Sequence, residues 1–166
     1  MATIGSRRFG GCLIVAMILA EERGSPTLDV RDMLGALWIA DLERLAKYWR
    51  DWEAFEDFVT AECSLHEPRW AYWLLTYEAS PKQKKSRFHG GMLKAQSPSL
   101  VKVWREAEKL AESRVHGDMR PVLTTEDLLL AMAKQTETEL RMKLIKAGLD
   151  IARLEEAVKT MTPLPG

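Results

Sequence analysis

Apolar positions along this chain recur at spacings of three and four, which places them on single helical faces. Leu42, Leu45, Ala46 and Trp49 share one such face. Leu100, Val103, Trp104, Ala107, Leu110 and Ala111 form a second, longer stripe. Leu140, Leu144 and Ile145 form a third, and Leu154, Ala157, Val158 and Met161 a fourth. Strict alternation is missing and the β-branched residues are scattered, so no strand pair is predicted.

Polar and breaking residues divide these stripes into helices. A helix over residues 12–23 is stopped by Gly24, Ser25 and Pro26. Asp29 caps the next, with Asp32 near the positive end of its dipole. That helix runs through Met33, Leu34, Leu37 and Trp38, a third covers about residues 41–50, and Phe55, Phe58 and Val59 open a short fourth. Ser97-Pro98 starts a helix with proline in its first turn. His116 to Pro121 is a loop, and Thr125 is the expected N-cap for Leu128, Leu129, Leu130 and Met132. Gly148 sits where a helix ends in a left-handed residue, and Asp150 caps the last helix. The closing TPLPG cannot continue it.

The middle of the chain differs in character. EPRWAYWLLTYEA puts Trp70, Trp73, Leu74 and Tyr77 on one helical face, and SPKQKKSRFHGG reads as an exposed basic linker. On either side of it the same phrases occur twice. LAEER (Leu19–Arg23) returns as LAESR (Leu110–Arg114), an offset of 91 residues. VRDMLGALW (Val30–Trp38) aligns with TEDLLLAMA (Thr125–Ala133) at an offset of 95, the difference being a longer loop in the second copy. A repeated supersecondary unit points to pseudo-twofold stacking, because a lone unit of this size would leave apolar faces wet.

Composition changes the picture in a few places. The 166 residues suit one domain or two small halves sharing a core, and 46% apolar residues suffice to bury one. Twenty-four cationic and 24 anionic residues cancel, so there is no overall pull toward nucleic acid or anionic lipid. Six Trp is a high count, and surplus Trp also appears at protein contacts. Cys12 and Cys63 form no CxxC and no disulfide framework; each reads as a small buried hydrophobe in a reducing, cytoplasmic compartment. SRRFGGCLIVAMILAEE has the ingredients of a secretory leader. Its apolar run, Cys12 to Ala20, is too short to span a bilayer, and its last residues recur later, so it is read as a buried first helix.

Signatures of catalysis are weak. None of the ten glycines precedes a lysine, so no phosphate-cradling ATP loop lies in this chain. His66, His89 and His116 are isolated; Cys63 and His66 can share a helical face, but two ligands do not make a metal site. No serine sits in a Gly-x-Ser-x-Gly elbow. Glu126 and Asp127 are open to two readings, a general acid–base pair or helix-start acids matched to the dipole. KQKKSR is either a phosphate contact or a solvated tether, and Trp70, Trp73 and Tyr77 either stack on bases or form core or partner contacts. No catalytic residue, metal or cofactor is expected, and neither a membrane nor nucleic acid is the expected partner.

The second half resembles the Clp amino-terminal repeat, the helical module at the front of Clp-type ring unfoldases. The resemblance rests on AEKLAESR, the loop with His116 and Gly117, TTEDLLLAM and LIKAGLDIARLEEAV, and more weakly on AEERGSPTLDVRDMLGALW in the first half. The family writes its cap phrase as Thr-Glu-His before leucines, where this chain has Thr125-Glu126-Asp127. The connection between the halves is also longer than the family's.

The resemblance implies an all-α fold, a tandem pseudo-twofold repeat of four-helix units. Residues 1–60 would form the first repeat, 61–96 the aromatic helix and basic linker, and 97–166 the second repeat, together one domain. It implies a non-catalytic protein-binding module whose partner is an adaptor, a substrate segment or a Clp ATPase ring. A free-standing regulator of such a complex and a helical nucleic-acid-binding protein are the alternatives. Some family members recognise phosphorylated arginine through the Glu of each cap phrase. Glu126 matches that position in the second half, whereas Arg31 stands there in the first. The expected partner-binding residues are Thr125 and Glu126 at the second cap, and Trp70 and Trp73 as an exposed aromatic contact.

Overall fold

A computed structural model describes residues 3–78, 95–135 and 139–161. The basic run of residues 82–87 and the closing TPLPG lie outside the described residues. Helices dominate. In chain order they are α1 (Arg7–Glu22), α2 (Val30–Leu45), α3 (Trp52–Glu62), α4 (Arg69–Glu78), α5 (Pro98–Glu112), α6 (Thr125–Ala133), α7 (Leu140–Ala147) and α8 (Ile151–Thr160). A 3₁₀ turn, Ala46–Tyr48, follows α2.

Capping residues set the helix starts. Ser6 and Ser97 accept from the backbone N–H three residues on, that of Phe9 and of Leu100, opening α1 and α5. Asp29 and Thr124 open α2 and α6 with full capping boxes, in which Asp32 and Asp127 reach back to the cap N–H, both at 2.9 Å. The second cap is therefore Thr124, one residue before the Thr125 read from sequence. Only Thr124 lets the N3 carboxylate of Asp127 close the box.

The apolar run expected as a buried first helix is the core of α1, where Cys12, Val15, Ala16, Met17, Ile18 and Ala20 are buried. The helix begins earlier than residue 12 because the Ser6 cap adds a turn. The expected second and third helices merge into α2, which bends at Asp41 (φ −137°, ψ 25°). The stripe from Leu42 to Trp49 ends sooner than expected: Trp49 is extended backbone, and its ring stacks on Phe55 with centroids 4.7 Å apart.

Among the described residues, four two-residue strands correct the strand-free expectation. β1 (Ile4–Gly5) pairs in parallel with β4 (Val122–Leu123), and β2 (Thr27–Leu28) with β3 (Ala95–Gln96). Each precedes a capped helix. Two residues leave no alternation to read, so sequence pattern could not have revealed them. Ser6 N–H donates to Leu123 C=O at 2.8 Å, and Ser97 N–H to Leu28 C=O at 2.9 Å.

α1 packs along α2, α5 along α6, and α2 meets α6 at the centre. All nine residues of α6 are buried, as a helix surrounded by others requires. Leu128, Leu129, Leu130, Met132 and Trp38 have essentially no exposure. Each such large side chain contributes about 1.5–3 kcal/mol by leaving water. On the fourth stripe Leu154 and Val158 are buried as expected. Ile145, expected inward on the third, is 42% exposed, because α7 buries only Leu144. Among the described residues no helix is long and apolar enough to cross a membrane.

Candidate functional site

Two places received the expected site residues, and they differ in kind. The first is the start of α6. Thr125 and Glu126 are each 1% exposed. Thr125 Oγ1 donates to Asp41 Oδ2 at 2.6 Å, and its single proton is thereby used, although Glu126 Oε2 lies 3.3 Å away. Asp41, itself 1% exposed at the bend of α2, also accepts from Arg8 Nη1 at 3.0 Å. The Glu126 carboxylate is taken by Arg44 Nε. An opening of about 200 Å³ lies above, lined by Ser6, Arg7, Arg8, Arg44, Thr124 and Glu126 among others.

Thr125 and Glu126, the expected partner-binding residues at the second cap, lie buried in this cluster. Both functional groups are spent on partners inside the protein, and a buried carboxylate without its cation would be costly. The arrangement ties α6 to α1 and α2 through groups that satisfy one another. Sequence reasoning missed Arg8, Asp41 and Arg44. Asp41 had one signal, its place between two helical stripes; the two arginines had none, since cations on helices usually face water.

Asp127 is held differently. It accepts from Thr124 N–H and Thr124 Oγ1, both at 2.9 Å, and from both terminal nitrogens of Arg114, Nη2 at 2.7 Å. Asp32, at the same position of α2, accepts from Asp29 N–H and from Arg23, whose Nη2 is 2.7 Å away. The acid–base reading of Glu126 and Asp127 finds the two carboxylates on different arginines, Arg44 and Arg114.

The second place is α4. Arg69 Nε donates to the Trp38 carbonyl at 2.9 Å, its Nη2 lies 3.1 Å from Glu43, and Tyr72 meets Trp38 edge to face at 6.2 Å. Arg69 and Tyr72, three apart, thus seat one face of α4 on α2. The Tyr72 hydroxyl also accepts from the N–H groups of His66 and Glu67, at 3.0 and 3.1 Å, fixing the entering loop. Trp70 and Trp73 follow one step round the helix and point outward, 66% and 50% exposed. The side chain of Tyr77, expected with them, lies outside the described residues.

Burial pushes both thiols up to about 12, Cys12 further by the nearby Asp41 carboxylate, so neither is a ready nucleophile. Among the described residues no three His, Cys, Asp or Glu side chains group closely enough to hold a metal ion. Compared with known proteins, the chain matches no family model, no curated protein and no solved structure at a significant level.

Proposed function

We propose that the chain is a non-catalytic docking module built from two copies of one helical unit, which receives adaptors or substrate segments for a Clp-type unfoldase. One observation carries this reading: the two halves use the same parts in the same order. Ser6 and Ser97 cap α1 and α5; Arg23 and Arg114 end them; Asp32 and Asp127 receive those arginines. The strand pairs are reciprocal, each half lending its first strand to the other half's second. A twofold relation between copies would produce that pattern, and the repeated phrases LAEER and LAESR fit it. The outward indoles of Trp70 and Trp73 supply the kind of rigid aromatic anchor that protein contacts favour.

The test is competition. A Clp-type ring with its peptidase would degrade an unstructured substrate such as casein, with and without an adaptor, while the full chain is titrated in. The chain should slow degradation, and Trp70→Ala with Trp73→Ala should lose most of that effect while keeping the wild-type melting temperature. A chain that neither slows degradation nor is retained by ring or adaptor would overturn the proposal.

A further inference from the structure

Two openings share a border, the first between the halves and the second on the second half alone. One, of about 420 Å³, has an apolar floor of Val30, Leu34, Val103 and Leu140. The other, of about 720 Å³, runs along the outer side of α5 past Arg105 and Lys109. Lys102 and Gln135 line both, so the two form one trough. Lys102, Arg105 and Lys109 are all exposed, and their spacing of three and four puts them in a row on one helical face. The whole chain is neutral, so this row is a local feature.

At the apolar end stands Arg31. It is the second residue of α2, as Glu126 is the second residue of α6. Glu126 has Arg44 as its counter-charge. Arg31 is half-buried at the edge of the apolar pocket, and among the described residues no carboxylate lies within ion-pair distance of its guanidinium. The acids that share its pocket are Asp29, engaged with Val30 N–H and Ser97 Oγ, Glu62, with Lys143 at 3.3 Å, and the exposed Glu139, 4.0 Å from the same lysine. A half-buried guanidinium favours a planar carboxylate that can take two of its N–H groups.

We propose that this trough receives an acidic protein segment carrying one apolar anchor. The anchor fills the pocket over Leu34 and Val103, an acidic neighbour meets Arg31, and further acidic residues follow Arg105 and Lys109. A protein fits better than a nucleic acid on two counts. Among the described residues no aromatic side chain lines either opening, so these residues offer bases nothing to stack on. Glu139, Glu106 and Glu155 interrupt the rim, which a continuous phosphate chain could not avoid and a peptide with spaced acids can. The inference rests on the docking-module reading and names its partner's chemistry.

The experiment uses the full chain and fluorescence anisotropy, with no unfoldase present. The probes are a labelled peptide of Asp and Glu with a central Leu, the same peptide with Ser for Leu, the same peptide with Lys for the acids, and an oligothymidylate. The acidic Leu peptide should bind best and weaken as salt is raised. Ser for Leu and Arg31→Glu should each weaken it about tenfold, roughly the 1.4 kcal/mol of one lost anchor. Arg105→Glu with Lys109→Glu should do the same. Arg31→Glu should fold, because an acid at the second position suits the helix dipole and is what α6 carries. Equal binding of both acidic peptides, equal or tighter binding of the oligothymidylate, or indifference to Arg31→Glu would overturn the proposal. Peptide binding without any effect on a Clp-type ring would sink the unfoldase reading alone.

Discussion

Arg114 and Asp127 form the most deeply enclosed ion pair described in this fold, their side chains 7% and 0% exposed. Both terminal nitrogens of the guanidinium face the carboxylate, and Nη1 and Nη2 also reach the carbonyls of Leu110 and Val122, at 3.2 and 3.3 Å. One side chain therefore fastens the end of α5, the strand β4 and the start of α6. Arg23 and Asp32 make the corresponding pair in the first half, but there the arginine is 31% exposed.

Removing one partner should therefore cost unequal amounts in the two halves. Arg114→Met leaves Asp127 buried with its charge uncompensated, a loss of about 3–5 kcal/mol. Arg23→Met leaves Asp32 beside a site that water can enter, and the loss should be smaller, about 1–2 kcal/mol after allowing for screening. Urea denaturation of both variants measures the difference. Equal losses would show that exposure of the arginine does not set the strength of the clamp.

Arg44 and Glu126 invite a double-mutant cycle. Arg44→Met strands a carboxylate that is 1% exposed, but Arg44 itself keeps a third of its surface in water, so the loss should be about 2–3 kcal/mol. Glu126→Leu alone removes the buried charge and should cost less. The double variant should recover most of the Arg44→Met loss, because an apolar pair replaces a stranded ion. Additive losses in denaturation midpoints would mean that the two residues do not act on each other.

How much of this could be read from the chain depends on how local the signal is. Helices were legible where one face is apolar, as in α5 with Leu100, Val103, Ala107 and Ala111 buried. The caps Asp29, Ser97 and Asp150 were legible because the capping side chain and the N–H it accepts from lie within three residues. Arg23 and Arg114 were visible as the last letters of the repeated phrase, although their aspartate partners were not. The cap was placed at Thr125 because two threonines stand side by side, and only the closed box tells that Thr124 caps. Asp41, Arg8 and Arg44 were illegible because their contacts span 33, 84 and 82 positions, and no periodicity encodes such a distance. The spacing of Trp70 and Trp73 put them on one face of α4, and their exposure follows from how Arg69 and Tyr72 seat the opposite face.

The buried thiols should make stability fall with alkali. Each is raised from about 9 to about 12 on folding, so between those values the folded chain keeps a proton that the unfolded chain releases. Stability is then unaffected by the thiols below pH 9 and declines as pH rises toward 12. The slope is up to roughly 1.4 kcal/mol per pH unit for each thiol. Urea midpoints at rising pH should drop less steeply in Cys12→Ala with Cys63→Ala than in the wild type. Parallel curves would mean that other groups account for the whole decline.

Gly148 ends α7 with φ at +105°, and its carbonyl accepts from Arg50 N–H at 2.8 Å, beside the return bond from Asp150 N–H to Tyr48. These two bonds join the turn after α2 to the turn before α8. A methyl group at Gly148 would stand 3.1 Å from Arg50 Cβ, so Gly148→Ala meets both a disfavoured backbone angle and a tight neighbour. Gly24, with φ at +69°, is surrounded by open space, so Gly24→Ala meets only the first. The left-handed angle alone costs about 1–2 kcal/mol, and the contact should take Gly148→Ala to about 2–3 kcal/mol. In a chain of this length that difference should lower the melting temperature by several degrees more for Gly148→Ala than for Gly24→Ala. Arg50→Gly in the Gly148→Ala background removes the crowding atom, and should bring the cost of the alanine back to that of the angle alone. If Gly148→Ala costs as much in the Arg50→Gly background as in the wild type, the strain lies in the backbone and not in the contact.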